Sequence, residues 1–158
     1  MMTMIAPKHV RQFHVSLPSE LGVEKLVRDA LARLLPRWGL EAARIADFQT
    51  AVSEACINAI EHGNRGQVGT RLQVTLLLSR DHVDAVVADD AIVPFPEPEP
   101  LPPTIEQKLA GGASVRRMGL FLIRQLVDEA GFLPRASGGG NRFRLRIYRH
   151  SVRGQVEG

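Results

Sequence analysis

The chain has 158 residues, 44% hydrophobic and 23% charged, which is enough for one domain with a real core and an ordinary composition for a soluble globular protein. A net charge of +3 without interleaved aromatics or a helix-turn-helix pattern argues against a nucleic-acid surface, and no run reaches the ~18 apolar residues of a membrane span. The start lacks the apolar stretch of a secretory signal and the single cysteine, Cys56, excludes an internal disulfide, so a reducing, cytoplasmic setting is expected.

Phe13-His14-Val15-Ser16-Leu17 alternates and stops at Pro18, which predicts a first strand. Ser19 then offers an N-cap, and Leu21, Val23, Leu26, Val27, Ala30, Leu31 and Leu34 continue at helical spacing as far as Pro36. A second helix is expected from about Leu40 to His62, closed by Gly63-Asn64-Arg65-Gly66. One face of it carries Phe48, Val52, Ala55, Ala59 and Ile60, the apolar stripe a helix needs to dock on a sheet, with Cys56 beside the stripe as a packed thiol.

The β-rich runs Leu72–Leu78 and His82–Asp89 flank Ser79-Arg80-Asp81 and predict a hairpin. Six prolines between Pro94 and Pro103 exclude a regular helix there, so residues 92–113 read as an extended lid, with a polyproline spacer as the alternative. Beyond it Ser114 can cap a helix through Met118, Leu120, Phe121, Ile123, Leu126 and Val127, ending near Gly131. Gly138-Gly139-Gly140-Asn141 reads as a tight turn into a last strand, on which Arg142, Arg144 and Arg146 alternate with Phe143, Leu145 and Ile147. The order β-α-α-β-β-lid-α-β implies an α+β fold, a two-layer α/β sandwich with a mostly antiparallel sheet and helices on one face. A single domain is expected over 1–158, with a core of about 10–149 and short tails at 1–9 and 150–158.

Glu54, Asn58 and His62 recur every four residues on the second helix. Each such step turns ~400° and rises ~6 Å, so the three side chains form one drifting polar stripe that can face a ligand, although a solvated helix face has the same pattern.

The pattern Glu54-x-x-x-Asn58-Ala59-x-x-His62-Gly63, a strand ending at Asp90, a long lid, Gly119-Leu120-x-Leu122-Ile123 and a glycine turn before the last strand together resemble the GHKL ATPases, the superfamily of gyrase and the histidine kinases. Within it the chain is most similar to the small bacterial anti-sigma-factor serine/threonine kinases. The resemblance implies a Bergerat-type ATP-binding fold, Mg²⁺ and ATP as cofactors, Asn58 as the protein ligand to the metal and Glu54 as general base for an attacking serine hydroxyl. It implies that Asp90 accepts the adenine amino group and that Gly119, with Leu120 next to it, brings bare helix N-terminal N–H groups to phosphate. His62 matches a family position near the nucleotide, with a packed histidine as the alternative; Arg116 and Arg117 can bind phosphate oxygens through their guanidinium forks, and Asn141 keeps a polar side chain in the turn before the last strand. The implied partners are a small STAS-type antagonist protein, which is phosphorylated, and a sigma factor or equivalent regulator, which is sequestered, with the kinase a homodimer.

Some positions depart from the family pattern. Ile92 stands two residues after Asp90, where glycine is usual, and Asp89 with Ala91 in the glycine place is the alternative match. Val115-Arg116-Arg117-Met118 replaces further glycines before Gly119, and Asn141 replaces threonine. A binding module of the same fold without catalysis is therefore the alternative function.

Overall fold

The computed structural model describes residues 11–92, 113–135 and 138–150, with the backbone alone at 113–117. In chain order the elements are β1 (Arg11–Pro18), α1 (Val23–Leu34), a 3₁₀ turn (Pro36–Trp38), α2 (Ala42–Asn58), a π-helical turn (Ala59–Gly63), β2 (Arg71–Leu78), β3 (His82–Ala88), α3 (Ala113–Leu126), β4 (Glu129–Leu133) and β5 (Arg142–Tyr148). The strands form one five-stranded sheet in the order β1-β2-β3-β5-β4, antiparallel at every pairing. The two-layer α+β architecture expected from the sequence is what the chain adopts.

Alternation explains which face the helices cover. Register aligns Val15, Val74, Val87, Phe143 and Phe132 across the sheet, and Phe13, Leu76, Ala85, Leu145 and Ala130 in the next row. Most of these side chains are buried under α2, whose Phe48, Val52, Ala55 and Cys56 are themselves buried. Helices α1 and α3 flank α2 in the same layer. Burying one side chain such as Phe48 stabilises by roughly 1.5–3 kcal/mol, so the core alone dictates the register. At the β1 edge the cover thins: Phe13 and Val15 are each 41% exposed and line an apolar hollow against Leu26, Ala30 and Leu34 of α1.

The other sheet face carries the arginines. Arg146 Nε and Nη2 donate to Asp84 Oδ1 and Oδ2 at 2.7 and 2.8 Å, a bidentate pair between directly opposed residues. The Asp84 hydrogen bonds raise the Arg146 pKa further above its ordinary value.

Several expectations are corrected. Ser19 does not cap α1: its hydroxyl accepts from Asn64 Nδ2, and the helix begins at Val23 after Gly22, whose φ of +110° suits glycine. Helix α3 begins at Ala113, so Ser114 lies within it. It also stops at Leu126 instead of continuing towards Gly131, and Glu129–Leu133 forms the edge strand β4. The change of direction is fixed at Asp128, whose N–H donates to Arg146 O and whose carboxylate accepts from Arg44 Nη2 and Tyr148 N. The expected lid at 92–113 falls almost wholly on residues outside those described, as do the tails. Among the described residues no helix is long and apolar enough to cross a membrane.

Candidate functional site

Two side chains on α2 meet one glycine on α3. A Cβ placed on Gly119 would stand 3.2 Å from Asn58 Nδ2, 3.4 Å from Asn58 Oδ1 and 3.6 Å from Glu54 Oε2. Glu54 and Asn58, one helical turn apart, therefore share the groove where α3 crosses α2, and the missing side chain of Gly119 is what leaves them room. The expectation of bare N–H groups at Gly119 is corrected: α3 starts at Ala113, so Gly119 lies inside the helix, where its peptide belongs to the helical ladder. The backbone of Arg116 and Arg117 is in the first turns of α3, and their side chains lie outside those described.

Asn58 is 9% exposed, and its Nδ2 is buried with no hydrogen-bond partner among the described residues. Leaving such a group unsatisfied costs about 1–3 kcal/mol. That cost marks a position for an acceptor from beyond the described residues, such as a water or a ligand oxygen. Together with the adjacent Glu54 carboxylate and the side-chain-free surface of Gly119, the donor set fits a metal-bound phosphate group: one amide oxygen for a hard cation, one carboxylate, and a cradle that a Cβ would fill.

The second half of the site is built at the far end of β3. Asp89 is 7% exposed, and its Oδ1 accepts from Asn141 N at 2.8 Å and Ala91 N at 2.9 Å. Its Oδ2 accepts from Asn141 Nδ2 at 3.3 Å, while Asp89 N donates to Asn141 O at 3.1 Å. The carboxylate lies so close to Gly63 and Gly140 that a Cβ on either would collide with it. A small cavity of about 20 Å³ opens beside it, with polar Asn58, Asp89 and Asn141 and apolar Leu120, Phe132 and Phe143 in its lining. That volume is the size of a single water site.

Asp90, the position expected to receive adenine, points away from this cavity. It is exposed, its Oδ2 accepts from Arg71 N at 2.6 Å and its own N–H donates to Asn64 Oδ1 at 2.7 Å. Strand parity is the reason: Val83, Ala85 and Val87 face the helices, and Asp89 continues that series while Asp90 falls on the other side. Ile92 is 89% exposed, so its branched side chain projects into solvent.

Leu120 and Asn141 are both buried and both line the cavity. His62 sits in the π-helical turn instead of on a continued α-helical stripe, partly exposed, with Nε2 4.0 Å from Glu61 Oε2, and it does not line the cavity. The wider π turn rotates it away from the direction that four α-helical steps would give.

Arg135 was not singled out from the sequence. Its Nη2 donates to Ala91 O at 2.7 Å, Gly139 O at 2.8 Å and Ile92 O at 3.3 Å, and its Nη1 donates to Asn141 Oδ1 at 3.1 Å. No local signal marks it, since every partner comes from another loop or from the glycine turn.

The family model for the histidine kinase-like ATPase domain matches residues 17–147. The chain is 31% identical over 124 residues to the serine-protein kinase RsbW of Bacillus pumilus (strain SAFR-032), covering 73% of this chain and 74% of that protein. It is 31% identical over 131 residues to the serine-protein kinase RsbW of Bacillus velezensis, covering 76% of each. The crystal structure of the RsbU and RsbW domains of Rv1364c from Mycobacterium tuberculosis superposes with a TM-score of 0.61 at 23% identity, over 89% of this chain and 33% of that one, a likeness of fold. The chain spans about a third of that structure's length. By the matched family model, the kinase relatives and the shared fold, the chain belongs to the histidine-kinase-like (GHKL) ATPases, in the family of the anti-sigma-factor serine kinases.

Proposed function

We propose that the chain is an ATP-dependent protein serine/threonine kinase that phosphorylates a small STAS-type antagonist and sequesters a sigma factor or equivalent regulator. The observation that carries this reading is the convergence of Glu54 and the unsatisfied Asn58 amide on Gly119. Two named serine-protein kinases at 31% identity support the protein-kinase class.

In this reading Mg²⁺ neutralises charge on the transferring phosphoryl group when bound. Asn58 Oδ1 would be the protein atom that holds the cation, an amide oxygen being a suitable hard ligand. Glu54 accepts the proton of the attacking serine hydroxyl. Both side chains project from one helix, which holds base and metal ligand at a fixed separation, the main requirement of phosphoryl transfer. Asp89, in place of Asp90, accepts the adenine amino group, with Leu120 and Phe143 walling the cavity beside it. His62, Arg116 and Arg117 are assigned only to the periphery of the nucleotide. The chain acts as a single cytoplasmic domain, paired as a homodimer.

A second reading, a partner-switching module without catalysis, is favoured by two observations. Both Asp89 oxygens already accept hydrogen bonds within the protein, and the cavity beside them is only about 20 Å³. Absence of a thermal shift with Mg-ADP would favour this second reading, because a bound ligand at ~100 times its dissociation constant stabilises by ~2.7 kcal/mol. Incubation with Mg-ATP and a candidate antagonist is then expected to yield phosphoserine with the wild-type protein and none with Glu54→Ala. Absence of phosphoserine with both proteins removes the kinase reading and leaves the binding module.

A further inference from the structure

Asp89, just beyond β3, and Asn141, at the end of the glycine turn before β5, both line the cavity, and one side chain ties the two segments together. The guanidinium of Arg135 reaches Ala91 O and Ile92 O after β3, and Gly139 O and Asn141 Oδ1 in the turn. Guanidinium carries donors only, so it dictates the orientation of the Asn141 amide. The oxygen must face Arg135, which turns Nδ2 towards Asp89 Oδ2, 3.3 Å away. Asn141 N in turn donates to Asp89 Oδ1. Backbone N–H groups of Ala91 and Asn141 hold Asp89 Oδ1, and Arg135, which does not touch the carboxylate, acts on Oδ2 through the Asn141 amide.

We propose that Arg135 is a positioning residue for the nucleotide site, clamping the β3 exit to the glycine turn so that the Asp89–Asn141 pair is preset for the base. The inference rests on the reading of this cavity as the adenine end of the site. It explains how a chain with Ala91 and Ile92 in a stretch that the family builds with glycine holds its backbone there: carbonyls that would otherwise wander are gathered by a planar fork of charge-assisted donors. A lysine, with a point charge on a flexible stem, cannot span four acceptors on two segments in the same way.

The test uses Arg135→Gln and Arg135→Lys in the full chain, with Mg-ADP as probe, phosphoryl transfer at varied ATP, and amide hydrogen exchange of the ligand-free protein. Arg135→Gln is expected to weaken Mg-ADP binding by about tenfold or more, and Arg135→Lys by less. The turnover number at saturating ATP should stay within about twofold, with the loss falling on KM. Exchange at the amides of Asp89 and Asn141 should quicken in the ligand-free Arg135→Gln protein.

Unchanged Mg-ADP affinity in both variants overturns the clamp, and so does a lowered melting temperature with unchanged affinity, which would make Arg135 merely structural. If Arg135→Gln fails to fold, Arg135→Lys decides by the same affinity and exchange readouts. Failure of the wild-type protein to bind Mg-ADP overturns the nucleotide reading itself and this proposal with it, an outcome distinct from a wild type that binds and variants that bind equally well.

Discussion

Gly119 of α3 packs tightly against the Asn58 amide of α2: an added Cβ would stand 3.2 Å from Nδ2 and 3.4 Å from Oδ1. At such distances the amide must shift by a few tenths of an ångström. Replacing glycine by alanine within a helix also contributes about 0.8–1 kcal/mol of helix propensity. Gly119→Ala is therefore expected to leave the melting temperature unchanged or slightly raised while lowering phosphoryl transfer by about tenfold, because small misplacements of a metal ligand are costly. Full activity in a folded Gly119→Ala protein would mean that Asn58 is not positioned by this contact.

Glu54 and Asn58 share the groove but are assigned different work, and single substitutions should separate them. Glu54→Gln keeps the shape and removes the base, so the transfer rate should fall by about 10²–10⁴ while Mg-ADP binds as before. Asn58→Ala removes the metal ligand and should weaken Mg-ADP itself. Equal losses of nucleotide affinity in both variants would place Glu54 in binding instead of proton transfer.

Asp89 and Asp90 are adjacent in sequence and opposite in environment. Asp89 is buried against Gly63, Gly140 and Asn141, whereas Asp90 is exposed beside Arg71. Asp89→Asn is expected to weaken Mg-ADP by about ten- to a hundredfold, the range for losing a hydrogen bond to a charged group. Asp90→Asn, on the surface, should stay within about twofold. Calorimetric titration of both variants checks this, and the reverse order of effects would restore Asp90 as the adenine acceptor.

The sequence made some of this legible because the relevant physics is local. The Glu54–Asn58 spacing survives as a shared groove because α-helical periodicity extends to Asn58. It fails for His62 because the next turn is π-helical, a change that depends on Asn64 N reaching back to Ala59 O. The hairpin was readable from alternation. Strand β4 was not: Glu129-Ala130-Gly131-Phe132-Leu133 is short and contains glycine, and it is held by pairing with β5 and by the edge-to-face contact of Phe132 with Phe143, 4.9 Å between ring centres. The choice between Asp89 and Asp90 was within reach, because Val83, Ala85 and Val87 already fix the parity of the strand. Arg135 was beyond reach, since its acceptors Ala91 and Ile92 lie more than forty residues earlier.

Burial, with a smaller contribution from the Glu24 charge, pushes the Cys56 thiol from its ordinary 9.0 up to about 12. The direction of the linkage follows. Below pH 9 the thiol is protonated in both the folded and unfolded chain, and it adds no pH dependence. Between pH 9 and 12 the unfolded chain gives up a proton that the folded chain retains, so stability falls as pH rises through that window. At pH 10.5 the cost is about 2 kcal/mol, at 1.36 kcal/mol per unit of separation. Cys56→Ala leaves a small cavity, which costs about 1 kcal/mol at any pH, but it removes the titration. Urea unfolding at pH 8 and pH 10.5 should therefore show a smaller alkaline loss of stability in Cys56→Ala than in the wild type, since every other titrating group is common to both. A thiol reagent should likewise modify the wild-type protein only as it unfolds. Rapid labelling of Cys56 in the folded state, or identical alkaline losses in the two proteins, would mean that α2 does not hold this thiol in the core.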